Sequence, residues 1–252
     1  MKTPWKFIPL VAFAAYCTAV TTAAPEAKEK HHLYLLIGQS NMAGRAAIPP
    51  ADAAPLPNAW LLTKEGAWEP AKPPLNIHST IRKGAGMQKL NPGTQFAADM
   101  LAAYPGTSVG LIVNARGGSK IGQWDKSQKF YQDAVLRTRQ AMKSGTLKGI
   151  LWHQGESNNS DPDYLTHLKA LVSNLRADLG DPNLPFIVGQ INASKKNYPV
   201  NDHLLKLPTV LKGTACVSSK GLTTTDAWHF DAASQKLLGE RYAPVSYTHL
   251  TL

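Results

Sequence analysis

The residue types that acyl transfer needs occur in three short polar clusters. In Leu33-Tyr34-Leu35-Leu36-Ile37-Gly38-Gln39-Ser40-Asn41, an apolar run reads as a buried strand and stops at a glycine that delivers a serine. Ser40 is therefore expected at a strand's carboxyl end, beside a helix N-terminus whose free N–H groups favour developing negative charge. Taken alone, such a serine is more often a helix N-cap. The second cluster, Trp152-His153-Gln154-Gly155-Glu156-Ser157, follows the short apolar run Ile150-Leu151-Trp152. The third, Asp226-Ala227-Trp228-His229, sets an acid and a histidine three positions apart. A serine hydroxyl is a poor nucleophile near neutral pH; it needs a base within reach, and the base needs an anion to fix its tautomer. Ser40, Asp226 and His229 supply those parts. Glu156 is a second carboxylate at a strand end and competes with Asp226 for the histidine Nδ1.

The elements that must hold these clusters are legible as alternating strands and helices. Val109–Val113, Ile150–Trp152 and Phe186–Gln190 read as further strands. Helical spacing occurs after Thr94, after Ser127, after Asp161-Pro162, over 200–211 until Pro208, and after Asp231. Apolar strands alternating with helices predict a parallel sheet covered on both faces. In such sheets the cleft lies beyond the strands' carboxyl ends, and Ser40, Gly117 and Gln154 each follow a strand. Residues 45–92, rich in Pro, Ala and Gly, read as a long surface insertion that shapes the cleft, with a hairpin through Trp60-Leu61-Leu62 and Trp68.

The ends and the composition set further bounds. Residues 1–24 have a basic start, an apolar centre and small residues at Thr21-Thr22-Ala23-Ala24, the pattern of a signal peptide, so a secreted or periplasmic protein is expected. One domain over 25–245 follows. Residues 246–252, SYTHLTL, continue no helical face and are expected to be a non-native tail, so His249 is discounted. With Cys17 in the leader, Cys216 remains alone and is expected to be a buried structural thiol. The net charge of +10 is dispersed, without a basic block or an aromatic ladder, which argues against nucleic-acid binding. No later segment is long and apolar enough for a membrane span, and no set of residues has metal-ligand spacing. His153 is expected to pack beneath the site; His31, His32, His78, His167 and His203 are expected to be solvated or local.

The four blocks GQSNMAG (38–44), ARGGS (115–119), WHQGES (152–157) and DAWH (226–229) together resemble the carbohydrate acetylesterases of the SGNH-hydrolase superfamily. More narrowly, they are similar to the sialate O-acetylesterase domain family, which includes the acetylxylan esterases of carbohydrate esterase family 6. The G-x-S-x-M around Ser40 lacks the second glycine of the α/β-hydrolase elbow. The resemblance implies a flavodoxin-like α/β/α sandwich, a cofactor-independent serine esterase and an acetylated oligo- or polysaccharide substrate. It implies Ser40 as nucleophile, His229 as base and then acid, and Asp226 as orienting carboxylate. The tetrahedral oxyanion needs preorganised donors, and the candidates are the N–H of Ser40, the N–H groups of Gly117 and Gly118, and the Gln154 amide. Asn41, Arg116 and Trp124 are candidates for contacting substrate. Arg116 is the arginine that sequence puts nearest the nucleophile for an acidic sugar, but the compact chain favours neutral acetylated xylan over O-acetylated sialic acid. A catalytically silent glycan-binding protein is the alternative of another class; the intact Ser40, Asp226 and His229 argue against it.

Overall fold

The computed structural model describes residues 27–192 and 198–250, so the expected leader lies outside the described residues. The chain begins with β1 (His31–Gly38), buried along its whole length, followed by the single helical turn α1 (Ser40–Ala43). Strands β2 (Ala59–Leu62) and β3 (Trp68–Pro70), helix α2 (Gly93–Ala103) and strand β4 (Ser108–Val113) come next. Then follow α3 (Lys129–Ala141), β5 (Thr146–His153), α4 (Tyr164–Leu179), β6 (Phe186–Gly189), α5 (Pro199–Val210), β7 (Thr214–Val217) and α6 (Ala232–Leu250).

The strands form one sheet in the order β3-β2-β4-β1-β5-β6-β7, parallel throughout except for β3 at the edge. Along β1 the side chains alternate between two apolar layers. Leu33, Leu35 and Ile37 pack with α3, α4 and α5, whereas Tyr34 and Leu36 pack with α1, α2 and α6. A strand buried on both faces takes mainly apolar residues, which is why residues 33–37 of β1 read as an unbroken run. The result is the α/β/α sandwich expected from the sequence.

Four expectations change. The hairpin within 45–92 is no surface appendage: β2 pairs in parallel with β4, Ala59 opposite Val109 and Leu61 opposite Leu111, because Ala59, Leu61 and Leu62 bury into the same layers. Residues 246–250 extend α6, and the Ser246 hydroxyl is buried and donates to the Tyr242 carbonyl at 2.9 Å. His31 and His32 are buried in β1 rather than solvated, and His31 Nδ1 lies 2.7 Å from Ser108 Oγ. Cys216 is half-buried on β7, not fully buried as expected, and burial pushes its thiol up to about 12. Among the described residues no helix is long and apolar enough to cross a membrane.

Candidate active site

β1 lies between β4 and β5, and the chain feeds β2 and β4 to one side of it and β5, β6 and β7 to the other. That reversal opens a crevice at the carboxyl end of β1, where ligands bind in open sheets of this type. The turns that leave the three central strands carry Ser40, Gly117 and Glu156. They are tied to one another by backbone bonds: Gln39 N–H donates to His153 C=O at 2.8 Å and Arg116 N–H donates to Gly38 C=O at 3.0 Å. The Gln39 Oε1 also accepts the N–H groups of Gly155 and Ser157, at 3.4 and 3.3 Å. Gly38 makes this junction possible. Its φ of +137° and its closeness to β5, with a Cβ falling 2.1 Å from the His153 carbonyl oxygen, admit no side chain.

A cavity of about 420 Å³ occupies the crevice, and Ser40, Gly117, Gly118, Glu156, Trp228 and His229 line it. His229 and Asp226 come from the loop between β7 and α6. His229 Nδ1 lies 2.6 Å from Asp226 Oδ2, while Asp226 Oδ1 accepts the backbone N–H groups of Trp228 and His229 at 2.7 and 2.8 Å. Burial pushes the Asp226 carboxyl up, but the backbone N–H of Trp228 and both the side chain and N–H of His229 outweigh it and hold the acid below its ordinary value. An ionised carboxylate on Nδ1 leaves Nε2 as the nitrogen available to a nucleophile.

Glu156 makes no hydrogen bond to His229, whose Nδ1 faces Asp226. It is buried, its Oε1 accepts the Asn41 amide at 2.7 Å, and its Oε2 has no hydrogen-bond partner among the described residues. Burial dominates and raises its carboxyl to about 7, against the opposing bonds from its own N–H, Asn41 and Gly155. Asn41 is wholly buried and engaged on every side by protein, so its place is in the scaffold of the site and not on the cavity wall.

Other expected site residues are also displaced from the cavity. Gln154 is wholly buried, and its Nε2 donates to Ser119 C=O at 3.1 Å and Asn158 Oδ1 at 2.7 Å. The Arg116 guanidinium donates to the carbonyls of Ile81 and Arg82, at 2.9 and 3.3 Å. Trp124 is core: it stacks edge-on with Trp152 at 5.3 Å, and Trp152 Nε1 in turn donates to the Tyr164 hydroxyl at 3.1 Å. His153 is buried beneath the site as expected, with Nδ1 3.1 Å from the Tyr242 hydroxyl, and burial drops it to about 3. Ser40 and the Gly117-Gly118 pair remain on the cavity.

Two cations that the motifs do not announce line the same cavity, Arg45 and Lys83. Arg45 is anchored by Nη1 to the carbonyls of Gly44 and Met87, at 2.7 and 2.9 Å. Its Nη2 lies so near Gly117 that a Cβ there would sit 2.2 Å from it. Lys83 Nζ is 3.6 Å from the corresponding point on Gly118. The available signal was position alone: Arg45 directly follows GQSNMAG, and Lys83 precedes glycine in the segment expected to shape the cleft.

Comparison with known proteins places the chain in a family. The family model of a carbohydrate esterase family, the sialic acid-specific acetylesterases, matches residues 30–248. A probable carbohydrate esterase of Arabidopsis thaliana is 32% identical over 231 residues, which cover 83% of this chain and 87% of that protein. An X-ray structure of an Arabidopsis thaliana protein superposes with a TM-score of 0.79 at 30% identity, over 86% of this chain and 98% of the other. The crystal structure of NanS superposes with a TM-score of 0.72 at 17% identity, over 89% and 98% of the two chains, and shows the shared fold.

Proposed function

We propose, for a chain that belongs to the sialic acid-specific acetylesterase family of carbohydrate esterases, that Ser40, His229 and Asp226 remove O-acetyl groups from a carbohydrate by way of an acetyl-enzyme. His229 Nε2 takes the Ser40 proton as Oγ attacks the ester carbonyl; the tetrahedral intermediate then expels the sugar hydroxyl, protonated by His229. Water, deprotonated by the same nitrogen, attacks the acetyl-serine and releases acetate. The N–H groups of Ser40 and the Gly117-Gly118 turn are the oxyanion donors in this reading. The observation that carries it is the His229–Asp226 contact of 2.6 Å in a loop that brings His229 to the Ser40 cavity.

Replacing Ser40 by Ala tests it on an activated acetyl ester. Turnover is expected to fall by orders of magnitude to the residual rate of a site without its nucleophile, and any burst of the alcohol leaving group should vanish. Wild-type turnover in that variant would overturn the assignment.

The cavity also bears on the substrate. Arg45 and Lys83 beside the nucleophile favour an acetylated sugar that carries a carboxylate, as O-acetylated sialic acid does, over the neutral acetylated xylan expected from the compact sequence. The acidic-sugar reading is supported by Arg45 and Lys83, which line the cavity where Arg116 does not. Export through the 1–24 leader remains part of the proposal, as an extracytoplasmic setting suits a polymeric or cell-surface substrate.

A further inference from the structure

Ser40 and His229 belong to opposite ends of the chain, and their relative position must be fixed by something that contacts both elements. Asn41, adjacent to Ser40 in α1, does so. Its Nδ2 donates to the Trp228 carbonyl at 3.0 Å, and its Oδ1 accepts the Phe230 N–H at 3.1 Å, so one amide grips the peptide units on both sides of His229. The other valences of the amide are also filled, by Glu156 Oε1 at 2.7 Å and by Gln235 Nε2 on α6 at 3.1 Å. The histidine loop is also held by itself, through Asp226 and through the Thr225 N–H to the His229 carbonyl at 2.9 Å. The buried Phe230 ring against His153, the Trp228 ring against Tyr198 and the Asn192 amide on the Ala227 carbonyl at 3.4 Å hold it too. Among these contacts the Asn41 amide is the one that comes from the residue next to Ser40.

We infer that Asn41 is a positioning residue that registers the His229 loop against the Ser40 turn, and that the buried Glu156 fixes the orientation of its amide. The inference rests on Ser40 and His229 acting as nucleophile and base. An amide is required for the task because the loop offers it one carbonyl and one N–H, and the primary amide is the compact side chain that donates to one and accepts from the other. Glu156 Oε1, as an acceptor, selects the rotamer with Nδ2 toward itself and Trp228. Loss of the grip leaves the triad intact but its reach to Ser40 unset, which costs rate because misplacement by about 1 Å lowers turnover about 10²-fold.

The test is a double-mutant cycle between Asn41→Ala and His229→Ala, read as kcat and KM on p-nitrophenyl acetate and as the rate at which a fluorophosphonate modifies Ser40. In that labelling, Ser40 Oγ displaces fluoride from phosphorus and its proton passes to His229. Asn41→Ala is expected to lower kcat and the labelling rate about 10²-fold with little change in KM. In the His229→Ala background it should cost less than about 3-fold, because a base that is absent cannot be mispositioned. Equal fractional losses in both backgrounds would assign Asn41 a general structural role and overturn the inference, as would wild-type kcat in Asn41→Ala. Should the alanine variant not fold, Asn41→Leu takes its place: it keeps the size and adds no charge beside Glu156 but loses both bonds to the loop, and the same cycle is read. Wild-type turnover in His229→Ala would overturn the catalytic reading itself, which separates the two failures.

Discussion

Asp226 and Glu156 are carboxylates in opposite environments, and the difference divides their work. Asp226 collects N–H donors from its own loop and stays ionised; Glu156 is buried with one oxygen unpartnered and is raised to about 7. Asp226→Asn should therefore lower kcat strongly, about 10⁴-fold by analogy with the serine-protease triad, by disturbing the histidine tautomer. Glu156→Gln keeps an acceptor for Asn41 and should change kcat much less. Its signature lies in stability. Since the folded carboxyl holds its proton up to about 7 while the unfolded one loses it near the ordinary value of 4.5, wild-type stability falls as pH rises through that window. Melting curves should show Glu156→Gln gaining on the wild type between pH 4.5 and 7, with a ceiling of about 3 kcal/mol for a shift of this size. A constant difference across that window would mean that the carboxyl is not desolvated, and a larger kcat loss in Glu156→Gln than in Asp226→Asn would exchange the two roles.

At the scale of elements, the site depends on how tightly the central strands meet. The φ of +137° at Gly38 and the 2.1 Å approach to the His153 carbonyl leave no relaxed conformation for alanine, so Gly38→Ala should destabilise the fold by more than about 3 kcal/mol, beyond the usual range for a point substitution. Chemical denaturation midpoints would measure it; a loss below about 1 kcal/mol would show that the junction can open. The same tightness explains what the sequence revealed. β1 was legible because burial on both faces forces an unbroken apolar run, and the Asp226–His229 pair because a spacing of three lets one turn join them. β7 was harder to assign than β6, which is as short: Phe186-Ile187-Val188 is wholly apolar, whereas Thr214-Ala215-Cys216-Val217 mixes small and polar residues and acquires strand geometry from β6, as β2 acquires its parallel pairing from β4. Gln154, Arg116 and Trp124 lie in blocks whose position was legible, yet the direction of a side chain is set by its tertiary neighbours. Those neighbours, Ser119, Ile81 and Trp152, come from turns and strands that the local pattern does not bring together.

Over the whole molecule, a net charge of +10 favours approach of acidic ligands, but at physiological salt a Debye length of about 8 Å confines discrimination to cations at the cavity itself. Lys83 is exposed at the rim and Arg45 is half-buried against Gly117, so the two should act differently. Lys83→Ala is expected to raise KM for an O-acetylated sialic acid in a salt-sensitive way, with kcat near wild type. Arg45→Ala should lower kcat/KM for the acidic sugar by about 10-fold or more, the worth of a charge-assisted hydrogen bond in a sheltered site. Neither change should matter comparably for a neutral acetylated xylo-oligosaccharide, and Arg116→Ala should leave the acidic-to-neutral ratio alone because Arg116, tied to Ile81 and Arg82, is not among the residues that line the cavity. Parallel kcat/KM measurements on the two substrates at low and high salt decide the matter. Equal losses on both would mean that Arg45 and Lys83 only shape the wall, and the neutral sugar would become the preferred substrate with the Ser40 chemistry unchanged.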